Sequence, residues 1–169
     1  MPLRLLLVRH GLSSFNQERR IQGRDDLSAL SDEGHEQARR LGESLSEVPI
    51  TAVYSSRLKR AASTTATLLE GRGGQSPQTV FDDGLLEVDL EPWSGLRIDE
   101  LTERFPEAYA TWKLRPLELE LQHSDGSSYR PLVELMDQAQ TFLEGLLQRH
   151  PPEGDDTVLV VAHNAILRC

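Results

Sequence analysis

Near its start the chain reads Leu5-Leu6-Leu7-Val8-Arg9-His10-Gly11. An apolar run of the length of a short buried strand goes straight into Arg-His-Gly. A guanidinium, an imidazole and a turn-forming glycine therefore stand at one strand end, the place where open α/β sheets bind ligands. A second run, Val158-Leu159-Val160-Val161-Ala162, ends in the same manner at His163-Asn164. Two strands that each deliver a histidine predict one site built from both.

Between these runs, strand-like and helix-like stretches alternate. Gly11 to Ala29 is polar and without a sustained period, a loop with a short helix. Ser31-Asp32-Glu33 supplies an N-cap and first-turn carboxylates for a helix to about Leu45. Ala52–Ser55 reads as a strand, and Leu58, Ala61, Ala62, Ala66 and Leu69 mark a second helix behind it. A short strand is expected near Val80, then two helices, Ile98 to Phe105 and Pro106 to Trp112, split by proline. Leu114 to Pro131 reads as an acidic, irregular excursion on the site's side. Val133, Met136, Ala139, Phe142, Leu143, Leu146 and Leu147 mark a strongly amphipathic helix before the last strand. The alternation predicts βαβ units in a three-layer α/β fold with a mostly parallel sheet.

The bulk numbers narrow the function classes. A length of 169 residues fits a single domain, 1–169, with a real core. A net charge of −9 argues against a general nucleic-acid or anionic-membrane binder, yet leaves room for local arginines around a small anion. With the one cysteine, Cys169, no internal disulfide can form. The first apolar run is too short for a signal-peptide core or a membrane span, so the expectation is a cytoplasmic protein.

Arg9, His10, Arg57, Glu87 and His163 can do chemistry together. Guanidinium groups bind phosphate oxygens bidentately and stay charged at every working pH. Arg57 follows a strand at the start of a helix, whose N-terminus would add N–H donors toward the same anion. A neutral imidazole carries a nucleophilic nitrogen and can accept a phosphoryl group without a metal. A leaving alkoxide then needs an acid, and Glu87 sits among Asp82, Asp83, Asp89 and Glu91, neighbours expected to raise its pKa. Lys59 and Arg60 read as solvated charges. A metal held by His10, His163 and Glu87 is disfavoured, because the flanking arginines would repel the cation.

Five ordered blocks resemble the histidine phosphatase superfamily, the clan of phosphoglycerate mutases and related phosphatases. They are Arg9-His10-Gly11 with Asn16; Gln22-Gly23; Ser55-Ser56-Arg57-Leu58-Lys59-Arg60-Ala61 with Thr64; Leu85-Leu86-Glu87 with Trp93 and Gly95; and Val161-Ala162-His163-Asn164. The resemblance implies a phosphoglycerate mutase-like α/β/α fold in which His10 becomes phosphorylated. It further implies that Arg9, Asn16, Arg57 and His163 form the phosphate pocket, that Glu87 gives the proton, and that Gln22 and Gly23 belong to a loop near substrate. The implied activity is phosphomonoester hydrolysis of a small phosphorylated metabolite, with no cofactor and no metal. Mutases of the clan carry an insertion after the second arginine block that this chain lacks, which favours hydrolysis. A mutase and a catalytically silent phosphometabolite-binding module are the alternatives. The oligomeric state is open, a dimer included.

The chain departs from the family pattern at Leu12, Ser13, Glu91, Ser94 and Asn164, which leaves the substrate open. Leu12, Trp112 and Tyr129 are expected to shape its pocket. The chain stops a few residues into the helix expected after His163, so the sequence reads as truncated at its C-terminus, with exposed apolar surface near Ile166 and Leu167.

Overall fold

The computed structural model describes residues 2–169. Its centre is a parallel sheet of β1 (Arg4–Arg9), β2 (Ala52–Ser55), β3 (Thr79–Phe81) and the final strand, Thr157–Ala162, in the order β1, final strand, β2, β3. The final strand takes the middle because its residues, Thr-Val-Leu-Val-Val-Ala, are apolar on both sides. Its side chains alternate between two cores. Val158, Val160 and Ala162 pack with Tyr54, Trp93, Leu135 and Leu146, whereas Leu159 and Val161 pack with Ala38, Val53 and Leu68.

Helices cover both faces. α1 (Ser14–Gln17) is a single turn after β1. α2 (Asp32–Ser44), capped by Ser31 as expected, packs with α3 (Lys59–Arg72) over one face. α4 (Ile98–Arg104) and α5 (Pro106–Leu114) meet at the expected proline and lie with the long α6 (Pro131–Arg149) on the other. The excursion before α6 is more ordered than its sequence suggests. It contains an antiparallel hairpin, β4 (Leu121–Gln122) and β5 (Ser128–Tyr129). With these two counted, the final strand is β6.

The amphipathic reading of α6 holds only in part. Leu135 and Leu146 are buried, but Val133, Met136 and Leu143 of the expected apolar face are exposed. After His163 the chain forms a short 3-10 turn, Ile166–Arg168, and Ile166 is buried rather than exposed. Among the described residues, no helix is long and apolar enough to cross a membrane.

Candidate active site

β1, β6 and β2 end level with one another, since Arg9 pairs with Ala162 and Ser55 with Val161. The residues just beyond them are therefore neighbours: His10 after β1, His163 after β6 and Ser56 after β2. Backbone bonds from His10 N to Ala162 O (2.9 Å) and from Ser56 N to Val161 O (3.0 Å) carry the ladder into the site. The two imidazole rings lie 5.2 Å apart between centroids.

His10 is 7 % exposed, and its Nδ1 sits 2.8 Å from the Gly11 carbonyl. A carbonyl only accepts, so Nδ1 carries the proton and Nε2 keeps its lone pair. Burial, with the charges of Arg60 and Arg9, lowers the His10 pKa to about 4 against the pull of the Gly11 carbonyl. His163 is fully buried, with Nε2 2.8 Å from Ser56 Oγ and Nδ1 without a partner. Burial first, then Arg60, His10 and Arg9, lowers its pKa to about 2. Both rings are neutral at neutral pH.

The turn after His10 depends on glycine. Gly11 N donates to Thr64 Oγ1 at 3.0 Å, and a Cβ on Gly11 would stand 2.6 Å from the Gly34 carbonyl at the start of α2. That approach locks the Arg-His-Gly turn against α2 and α3.

The arginine facing both histidines is Arg60, which corrects two expectations. Arg57 pairs with Asp83 at 2.6 Å, its side chain 60 % exposed. Its charge is not among those acting on His10 or His163. Arg60, expected in solvent, is fully buried: Nη2 donates to Gly23 O at 2.7 Å and Nη1 to Asp25 O at 2.8 Å, while Nε has no partner. The physical reason is where α3 begins. Arg57 lies in the connection before the helix, whereas Arg60, Thr64 and Leu68 share one buried helical face at i, i+4 and i+8. A lone charge on that buried face is the signal that could have found it. Nor is the start of α3 open to an anion, because Asp26 already accepts Lys59 N at 2.6 Å.

The loop that takes the Arg60 guanidinium is the Gln22–Gly23 loop. Gly23 adopts φ +52°, and a Cβ there would press within 3.3 Å of Leu90 N and Val88 O. Ser13 Oγ stands 2.9 Å from Asn16 Oδ1 and 2.8 Å from Gln22 Oε1, and its single proton goes to one of the two amides. Ser13 N also donates to Asn16 Oδ1 at 3.3 Å, which turns that oxygen inward and leaves the Asn16 N–H donors free. Arg9, at the end of β1, makes no ion pair among the described residues.

Glu87 is brought to the site by its side chain. Its carboxylate accepts from Val88 N (2.9 Å), Ala165 N (3.1 Å) and Ile166 N (3.2 Å), which ties it to the turn after His163. The expected crowding by other carboxylates does not occur. Asp83 faces Arg57, Asp89 faces Arg24, Glu91 binds His123, and Asp82 caps Gly84 N. Tyr129 is buried and stacked on His123 at 3.9 Å, so it does not line the site as expected. Trp112, Lys113, Met136, Asn164 and Ala165 line a cavity of about 520 Å³ beside the turn after His163, whose Ala165 N binds Glu87.

A family model described as histidine phosphatase superfamily (branch 1) matches residues 5–169, every element of this site included. The chain belongs to the histidine phosphatase superfamily. Phosphoserine phosphatase 1 of Hydrogenobacter thermophilus is 33 % identical over 166 residues, covering 98 % of this chain and 73 % of that protein. Phosphoglycerate mutase-like protein 4 of Arabidopsis thaliana is 34 % identical over 165 residues, covering 97 % and 67 %. The solved structure of YhfR from Bacillus stearothermophilus superposes with a TM-score of 0.84 at 31 % identity, covering 98 % of this chain and 76 % of that one. The α/β/α layering and parallel sheet are those of this superfamily's phosphoglycerate mutase-like phosphatases.

Proposed function

We propose that the chain is a phosphomonoester hydrolase that works through a phosphohistidine at His10, on a small phosphorylated metabolite. One observation carries the reading. The neutral His10 ring, its Nδ1 tied to Gly11 O and its Nε2 free, shares a pocket with a buried arginine and a buried histidine that each keep one unpartnered nitrogen. A buried polar atom without a partner costs on the order of 1–3 kcal/mol, so a pocket that keeps two is built for an acceptor from outside. A phosphate dianion is such an acceptor. If Ser56 Oγ–H donates to His163 Nε2, the proton of His163 stands on Nδ1, ready for a phosphate oxygen.

In the first step the Nε2 lone pair of His10 attacks phosphorus and the bond to the leaving oxygen breaks. Arg9, Arg60, His163 and the amides of Asn16 and Gln22 hold the phosphoryl oxygens. Glu87 gives its proton to the leaving oxygen. In the second step water attacks phosphorus, Glu87 takes the proton, and the N–P bond breaks to release phosphate and neutral His10. The scheme draws on no cofactor.

The names of the relatives support the substrate class, and the mutase-like relative favours transfer to a second hydroxyl as the second reading. A phosphate-release screen over metabolite phosphates, with His10→Ala as control, tests the proposal. Release by the wild type alone is expected. Isomerised substrate without free phosphate establishes the mutase, and binding without turnover a silent module.

A further inference from the structure

We infer that Arg24 and Gln138 are a positioning pair for Glu87, holding the segment that carries it so that the carboxyl group stays set against the His10–His163 centre. The inference rests on the reading of Glu87 as proton donor. Leu86–Leu90 lies between the single 3-10 turns Asp83–Leu85 and Glu91–Trp93 and belongs to no strand or helix. Among the described residues, no backbone N–H donates to the carbonyls of Leu86 and Glu87. Side chains do so instead. Arg24 Nε donates to Glu87 O at 3.0 Å, and Gln138 Nε2 donates to Leu86 O at 2.9 Å and to Gly84 O at 3.2 Å.

The two side chains also hold each other. Arg24 Nη2 donates to Gln138 Oε1 at 2.8 Å, and Arg24 Nη1 stands 3.7 Å from Asp89 Oδ2. This uses both ends of the Gln138 amide and fixes its orientation, because the flipped amide would set donor against donor. Arg24 follows Gly23, whose carbonyl takes the Arg60 guanidinium. One short loop therefore grips the buried arginine with Gly23 and Asp25, and the Glu87 segment with Arg24. The far end of the Glu87 side chain is anchored on Ala165 and Ile166 after His163. Without Arg24 and Gln138 the carboxylate keeps those N–H partners, and Val88 and Leu90 stay in the core. The Leu86 and Glu87 carbonyls, however, lose the only donors they have among the described residues, and the peptide that carries the side chain can shift.

A displaced proton donor harms substrates unequally. An alkyl phosphate needs a proton on its leaving oxygen, whereas p-nitrophenolate leaves without one. A staple that merely holds the fold affects both alike. The test is kcat/KM on p-nitrophenyl phosphate and on glycerol phosphate for the wild type, Arg24→Ala, Arg24→Lys, Gln138→Leu and Glu87→Gln, with unfolding midpoints as a check on folding. Glu87→Gln is expected to lose about 100-fold or more on the alkyl substrate and far less on the aryl one. Arg24→Ala and Gln138→Leu should follow the same pattern at about tenfold, the cost of a slightly misplaced group. Arg24→Lys should resemble Arg24→Ala, since one ammonium cannot span both partners.

Losses that are equal on both substrates, or absent, in Arg24→Ala and Gln138→Leu overturn the inference while a selective loss in Glu87→Gln leaves the function standing. A non-selective Glu87→Gln overturns the reading of Glu87 itself. Should Arg24→Ala fail to fold, Gln138→Leu decides alone.

Discussion

The imidazoles of His10 and His163 meet at 5.2 Å between centroids, tilted by 58°, although 153 positions separate them in the chain. Parallel pairing of β1 with β6, Arg9 opposite Ala162, sets that distance. Each ring is neutral for a cause visible beside it: burial, then the Arg60 guanidinium for His163, and burial opposed by the Gly11 carbonyl for His10. The proposed nucleophile and its proposed oxygen-binding partner thus come from distant parts of the chain that the sheet brings together.

The two arginines near the start of α3 should behave differently. Arg60→Ala removes a buried guanidinium facing both histidines and is expected to lower kcat/KM on p-nitrophenyl phosphate by about 100-fold or more. Arg57→Ala removes only an exposed pair with Asp83 and should change it by less than about threefold. Steady-state kinetics on both variants decide, and the reverse ranking would restore Arg57 to the site.

That contrast shows what the sequence made legible. The strands, the Ser31 cap, the proline between α4 and α5 and both histidines follow from periodicity and turn chemistry, which are local. Arg60 was missed because a charge in a helix reads as solvated until its neighbours Thr64 and Leu68 are known to face the core. Ser56 was missed as a partner of His163 because a serine hydroxyl carries no pattern of its own. The fates of Asp83, Asp89 and Glu91 depend on cations distant in the chain, Arg57, Arg24 and His123, so their spacing near Glu87 misled. His150 is held between Asp156 and Tyr54.

Stability should fall with acid through the site histidines. Unfolding returns both to ordinary values near 6.5, so the unfolded chain binds protons that the folded chain refuses down to about pH 4 for His10 and about 2 for His163. Their contribution is complete above pH 6.5 and is lost as pH falls. Urea unfolding of wild type and His163→Gln at pH 7 and 4.5 isolates one of them. The wild type is expected to lose about 2–3 kcal/mol more than the variant over that interval. Equal losses would show that His163 titrates normally in the fold.

Gly11→Ala should destabilise without touching any charged group. Its new Cβ would lie 2.6 Å from the Gly34 carbonyl, so the turn after β1 or the start of α2 must shift. A cost of about 1–3 kcal/mol is expected from such overpacking. Activity should fall too, because the Gly11 carbonyl orients His10. The urea midpoint and kcat on p-nitrophenyl phosphate are the measurements, and an unchanged midpoint would contradict the close approach.

Ser56→Ala leaves His163 Nε2 without its partner in a fully buried position. About 1–3 kcal/mol of stability should be lost, and turnover should drop as the ring loses its fixed tautomer. Ser56→Thr, which restores a hydroxyl, should recover part of the turnover. Rescue equally good in alanine and threonine would remove Ser56 from the site.

The phosphoryl group is expected to pass through His10. The most direct measurement is an alkaline quench during turnover of p-nitrophenyl phosphate, followed by peptide mass spectrometry of wild type and His10→Ala. One phosphoryl group on the peptide carrying His10, absent from the variant, is the predicted result. Turnover with no phosphorylated peptide, or with the group on His163 instead, would contradict it.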